Sequence, residues 1–239
     1  ARYWDVDYEY VGYDKSWEDM QQMLEDGEID MIAIGRAQLA DPEWCNKARE
    51  GREDEIRRCI GCTEGCYDKV IDPKATHITC TRNPMLCLEY KGMPKAEKAK
   101  DVMVIGGGIG GLVTAEILKK RGHNPTIYEA SERAGGRFRL AGKAPKKQEF
   151  EAAVDWEIKE CERLGIEIKT NTTVTPEMIA EIKPDHVVVA IGSEFATPDL
   201  PGVDGADIVT AEDVLAGKAE AKGEILILGG GLVGCETAT

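Results

Sequence analysis

Apolar positions fall along this chain in two kinds of block, helical stripes and short unbroken runs. Trp17, Met20, Met23 and Leu24 recur at helical spacing and Gly27 follows them, which predicts a helix that stops there. Met31-Ile32-Ala33-Ile34 is an unbroken run and predicts a buried strand closed by Gly35-Arg36. Asp41-Pro42 predicts a second helix, with a capping acid and a proline at its first position. A less regular strand is expected from Asp7 to Val11, ending at Gly12. Strands alternating with helices indicate an α/β barrel or an open parallel sheet.

The pattern changes after residue 57. Residues 57–90 carry the cysteines and little periodicity, and the Lys/Ala-rich stretch Lys91–Lys100 reads as a linker. From Asp101 the apolar runs return. Val102-Met103-Val104-Ile105 predicts a buried strand feeding a glycine-rich turn and a helix over Leu112–Arg121. Pro125–Glu129 is the next expected strand, and His186–Ile191 a third buried one. Phe150, Val154, Ile158 and Cys161 line one face of a long helix, which makes Cys161 a core residue. Val102–Gly111 (VMVIGGGIGG) returns as Ile225–Gly234 (ILILGGGLVG) 123 positions later, so two strand–glycine–helix units imply two nucleotide sites.

Composition narrows the class. A 239-residue chain with 42% hydrophobic and 31% charged residues has room for one large or two smaller soluble domains. A net charge of −14 disfavours nucleic acid and anionic membranes as partners. The longest uncharged stretch, Val102 to Ala115, is too short to span a bilayer, and no signal peptide precedes it. The eight cysteines cluster, which favours a reducing cytoplasm over a disulfide scaffold. Cys45 and Cys235 are expected on helix faces. The chain reads as a fragment, beginning at Ala1 and ending at Thr239 a few residues into the second glycine unit's helix. Its oligomeric state cannot be read, and a homo-oligomer is left open.

The chemistry sits in two motifs. Cys59-x2-Cys62-x3-Cys66 is followed, after a gap of thirteen residues, by Cys80. Four thiolates are what a [4Fe–4S] cube needs. A structural zinc is the main alternative, although zinc favours two separated Cys-x2-Cys arms, and Cys87 is a substitute for Cys80. Gly106-x-Gly108-x-x-Gly111 follows a strand and opens a helix, which lets backbone N–H groups approach a pyrophosphate. Glu129 ends the next strand, 18 residues after Gly111, where an acid holds ribose hydroxyls or simply meets solvent. Gly135-Gly136-Arg137 is a second glycine turn able to approach the same pyrophosphate. Gly229-x-Gly231-x-x-Gly234 repeats the first fingerprint, without the later residue that separates NADH from NADPH. Gly35-Arg36, at a strand end, is a weaker phosphate candidate.

The order GR…ADPEW, REDEIRRCIGCTEGC, ITCTRNP, VIGGGIGG with Glu129, EASERAGGR and VVVAIGS resembles the iron–sulfur flavoenzymes of the old yellow enzyme class. That class includes 2,4-dienoyl-CoA reductase, 2-enoate reductase and trimethylamine dehydrogenase, and the resemblance runs from about Val11 to Thr239. It implies an α/β chain: the end of an FMN-binding TIM barrel over 1–56, an iron–sulfur loop and linker over 57–100, a Rossmann-like FAD domain over 101–222 and the start of an inserted NAD(P) domain over 223–239. By the same resemblance Gly12, Gly35 and Arg36 sit at the FMN phosphate. Cys59, Cys62, Cys66 and Cys80 bind the cluster, and Gly106, Gly108, Gly111, Glu129, Gly136 and Arg137 hold FAD. Gly229, Gly231 and Gly234 approach NAD(P)H. The implied activity is reduction of an activated C=C bond in a small unsaturated substrate, with electrons passing from NAD(P)H through FAD, [4Fe–4S] and FMN. Two rival readings are an amine dehydrogenase working in the opposite direction and an electron-transfer subunit with FAD and a cluster. None of His77, His123 and His186 is placed to be the proton donor, so no catalytic residue is named.

Overall fold

The computed structural model describes residues 17–31, 34–194, 199–203, 205 and 208–239. The chain divides into two units, Ala1–Met93 and Pro94–Thr239.

The first unit, over its described residues, holds helices α1 (Trp17–Glu25), α2 (Arg36–Ala40), α3 (Trp44–Arg49) and α4 (Tyr67–Ile71), with 3-10 turns at Glu53–Glu55 and Glu89–Lys91. The expected helix over 17–27 forms and Gly27 ends it at φ +69°. Of the expected strand over 31–34, only the two end residues are described, and neither lies in a strand. Met31 is exposed, Ile34 is outside any strand, and Ile32 and Ala33 lie outside the described residues, as does the expected strand from Asp7 to Val11 with Gly12. An apolar run becomes a strand only beside another strand, and the described residues of this unit supply none.

The helix expected from Asp41 starts later, at Trp44. Asp41 is buried, and its carboxylate is engaged elsewhere. Oδ1 accepts the Glu43 N–H at 3.0 Å, while Oδ2 accepts the Arg57 N–H at 2.8 Å and the Lys47 ammonium at 2.7 Å. One acid thus pins the start of the cysteine segment to α3. Asn83 closes the other side, donating from Nδ2 to the Leu39 carbonyl at 2.9 Å.

In the second unit four parallel strands lie in the order β3-β2-β1-β4: β1 (Asp101–Ile105), β2 (Asn124–Tyr128), β3 (Glu167–Lys169) and β4 (His186–Val189). Ile105 of β1 pairs with Tyr128 of β2 and Val189 of β4, so the three strands end level. Helix α5 (Ile109–Lys120) packs against β1 and β2, α7 (Gln148–Arg163) packs beside α5, and the short α6 (Gly136–Ala141) lies beside α7. Val102, Val104, Leu112, Ile127 and Cys161 form the core, as the periodicity of α7 predicts for Cys161. Burial pushes the Cys161 thiol up to about 12, so it behaves as a small hydrophobe. Helix α8 (Pro176–Ile182) starts at Thr175, whose hydroxyl accepts the Met178 N–H.

Two expectations are corrected here. The apolar run His186–Ile191 forms a shorter strand, and Val187, Val189 and Ile191 are exposed rather than buried. Position decides this: β4 is the edge strand and pairs with β1 alone. The second apolar run, Ile225–Leu228, is exposed and belongs to no strand, for want of a ladder partner among the described residues. Helices α9 (Ala211–Leu215) and α10 (Leu232–Thr237) follow β4, and α9 packs beside α6 and α10. Cys45 and Cys235 do sit on helices, α3 and α10, but both are exposed.

Candidate nucleotide and cluster sites

Strand β1 delivers the chain into the first glycine loop, which leaves no room for a side chain at Gly106 or Gly111. Gly106 has φ +107°, and a Cβ there would strike the Ala190 carbonyl oxygen at the end of β4. A Cβ on Gly111 would strike the Gly106 carbonyl oxygen. Gly108, at φ −69° and ψ 177°, has open space where its Cβ would be and precedes the first turn of α5. The cradle is therefore open toward solvent at Gly108 and closed against backbone at Gly106 and Gly111.

The second glycine turn docks onto the first. Gly135 donates its N–H to the Gly107 carbonyl at 2.8 Å, and a Cβ on Gly136 would approach the Gly108 Cα to 3.2 Å. Glu129 stands at the mouth. Its Oε2 accepts the Gly107 N–H at 2.7 Å, and its Oε1 accepts the backbone N–H and hydroxyl of Ser131 at 2.8 and 2.6 Å. Burial pushes the Glu129 carboxyl up, and the hydrogen bonds from Ser131 and Gly107 outweigh it, leaving the group below the ordinary carboxylate value. The acid is thus held charged and aimed. Ser131 was missed in the sequence, although a serine two residues after an acid is a local turn signal. Arg137 projects from α6, donating to the Ser193 hydroxyl at 3.3 Å and pairing with Glu212 at 3.1 Å.

The second fingerprint reproduces the shape of the first. Gly229 has φ +111°, Gly231 has φ −76° and ψ −176°, and a Cβ on Gly234 would strike the Gly229 carbonyl oxygen. Among the described residues no sheet stands behind it.

The cysteine loop is closed by a contact across its long gap. Thr79 donates its N–H to the Gly65 carbonyl at 2.6 Å, and Gly65, at φ +83°, lies so close that a Cβ would meet the Thr79 side chain. This brings Cys66 and Cys80, the neighbours of Gly65 and Thr79, to the same end of the loop. All four cysteines are half-buried. The Cys59 sulfur accepts the Gly61 N–H at 3.3 Å, and the Cys80 sulfur accepts the Arg82 N–H at 3.4 Å. Cys62 Sγ lies 3.3 Å from the Thr81 hydroxyl. Burial pushes the Cys59 thiol up against the opposing pull of the Gly61 N–H and the Arg36 charge. Arg36 is the first residue of α2, and Gly35 stands just before it. Cys87 is exposed, at φ +63°.

Among the described residues no group of three or more His, Cys, Asp or Glu gathers tightly enough to ligate a single metal ion. A four-iron cube asks for something different, because its cysteines stand at separate corners rather than around one ion. Four half-buried thiols on one closed loop, two of them receiving N–H groups, are a donor set that a cube can use.

Residues 100–239 match the family described as pyridine nucleotide-disulphide oxidoreductase, and the chain belongs to that family. It is 38% identical over 234 residues to the NADH oxidase of Thermoanaerobacter brockii, covering 95% of this chain and 36% of that protein. It is 38% identical over 213 residues to the cinnamate reductase of Clostridium sporogenes, covering 89% of this chain and 31% of that one. The solved complex of 2-naphthoyl-CoA reductase with 2-naphthoyl-CoA superposes with a TM-score of 0.85 at 30% identity, over 93% of this chain and 34% of that one. The chain thus spans about a third of the length of these relatives. The residues matched to that family include the parallel α/β sheet, and among the described residues no helix is long and apolar enough to cross a membrane.

Proposed function

We propose that this chain forms the cluster- and nucleotide-binding part of an NAD(P)H-dependent flavin and iron–sulfur oxidoreductase that reduces an activated C=C bond. The observation that carries the reading is the Gly106–Gly111 cradle with the Glu129 carboxylate fixed at its mouth, 2.7 Å from the Gly107 N–H. The cradle leaves space at Gly108 for a pyrophosphate, and Glu129 offers charged oxygens to the ribose hydroxyls of FAD. Gly136 keeps the second turn close to the first, and the guanidinium of Arg137 is within reach of the same phosphates. Gly229, Gly231 and Gly234 offer a second cradle of the same shape for NAD(P)H.

Cys59, Cys62, Cys66 and Cys80 are the residues that would hold a [4Fe–4S] cluster. The N–H groups of Gly61 and Arg82 then stabilise two of the sulfurs as thiolates. When bound, FAD accepts two electrons as a hydride and the cluster takes them singly, which supplies the electron splitting such a reductase requires. The names of the relatives support an enoate or enoyl thioester as the substrate class. Gly35 and Arg36 would approach an FMN phosphate, with open space beside Gly35, and Gly12, the third residue assigned there, lies outside the described residues.

Anaerobic purification of the full protein, with assays of iron, sulfide, FMN and FAD, tests the assignment. NAD(P)H oxidation is then followed with and without cinnamate or an enoyl thioester. Iron, sulfide, FAD and FMN together, with substrate-dependent NAD(P)H oxidation, are expected. Zinc in protein never exposed to air would overturn the cluster, and amine oxidation without use of NAD(P)H would reverse the direction of the reaction.

A further inference from the structure

Arg137 crosses the nucleotide crevice. It follows β2 in the chain, while Ser193, which accepts from its Nη1 at 3.3 Å, follows β4. In the sheet β1 lies between β2 and β4, so a side chain joining the elements beyond those two strands passes over the end of β1 and its glycine loop. The other guanidinium nitrogen, Nη2, goes to Glu212 at 3.1 Å. Glu212 is in the first turn of α9, whose Thr210 hydroxyl caps the helix by accepting the Asp213 N–H at 3.0 Å. Helix α9 packs in turn beside α10, the helix of the second glycine fingerprint.

We propose that Glu212 is a built-in competitor for the Arg137 guanidinium. A dinucleotide pyrophosphate entering the first cradle takes Arg137, and the release of Glu212 frees α9 and the segment that leads to the second cradle. This rests on the reading of the first cradle as a dinucleotide site. The exchange is favourable because the Arg137–Glu212 pair is solvent-exposed on both sides, 46% and 36%, and an exposed pair is weak. A pyrophosphate in a cradle of backbone N–H groups brings more charge to a guanidinium suited to phosphate. Ser193 keeps the guanidinium over the crevice, so it has only to change partners. Occupancy of the first nucleotide site is thereby coupled to the mobility of the approach to the second.

The test uses the full chain, freed of flavin and titrated with FAD by calorimetry, in the wild type, Arg137→Gln, Arg137→Lys, Glu212→Gln and the Arg137→Gln/Glu212→Gln pair. Glu212→Gln is expected to tighten FAD binding about two- to fivefold, and to have no effect in the Arg137→Gln background. Arg137→Lys should recover part of the affinity that Arg137→Gln loses. Amide exchange over 208–217 should speed up when the wild type binds FAD, and should already be fast in Glu212→Gln without it. FAD binding that is unchanged or weaker in Glu212→Gln, or slower exchange over 208–217 on binding, overturns the competition. If the wild type binds no FAD at all, the reading of the cradle as a dinucleotide site fails first.

Discussion

Glu129 is held by a few contacts, and each has a measurable consequence. Its carboxyl lies below the ordinary value of 4.5, so its contribution to stability is full above that pH and is lost as pH falls through the lowered native value. The gap in urea midpoint between wild type and Glu129→Gln is expected to be present at neutral pH and to shrink in acid. Replacement by alanine should also weaken FAD binding by about tenfold or more, since a charged hydrogen-bond acceptor is worth roughly 1.5–3 kcal/mol. Gly65 makes a second prediction. At φ +83°, with Thr79 against it, Gly65→Ala should push the two ends of the cysteine gap apart, and iron per chain should fall while the sheet's circular dichroism is kept. The placement of Glu129 and the glycines around one loop could be read in the sequence because it depends on neighbours a few residues apart along a regular motif. Asp41 could not. It reads as a helix cap, yet its Oδ2 bonds Arg57, sixteen positions on, and no local pattern announces such a partner.

Helices α5 and α7 are joined by a charged clamp as well as by the core. Lys120 of α5 pairs with Glu116 on its own helix at 2.6 Å and with Glu160 of α7 at 3.1 Å. Burial lowers the Lys120 pKa, and the two carboxylates outweigh it and leave it raised. A raised lysine stabilises fully below its ordinary value of 10.5, and the contribution disappears as pH rises through the native value. Lys120→Met removes the lysine that bridges the buried Glu116 to Glu160 and should cost on the order of 1–3 kcal/mol at pH 7 in chemical denaturation, with the gap closing at strongly alkaline pH. The helices themselves were plain in the sequence, down to Cys161 on the inner face of α7, because a stripe at period 3.6 is a property of the element alone. Strands were less secure. Val102–Ile105 reads as buried and is, with β2 and β4 on either flank, whereas the similar runs at 186–191 and 225–228 are exposed. What covers a strand is supplied by other elements, and its own residues do not name them.

The two units draw on different sources of stability. In the second, β1, β2, α5 and α7 share a continuous apolar core. The buried apolar residues of the first are few and scattered, Ile29, Ala40, Ile56 and Ile60 among the described ones. On the proposed reading, a segment with so little core would depend on the cluster its thiols hold. Stripping iron with a chelator is therefore expected to abolish amide protection over 57–90 and to leave that of 101–169 intact. Equal loss in both would show that the loop does not depend on its cluster. The two glycine fingerprints make a contrast of another kind. Gly106 and Gly229 differ by only a few degrees in φ, 107° against 111°, although one follows a paired strand and the other an exposed run. Backbone shape at the cradle is thus written in the local letters and does not wait for a sheet to impose it. Such a turn is portable: copied elsewhere in a gene, it arrives with its curvature already made, and a newly duplicated nucleotide pocket needs only walls.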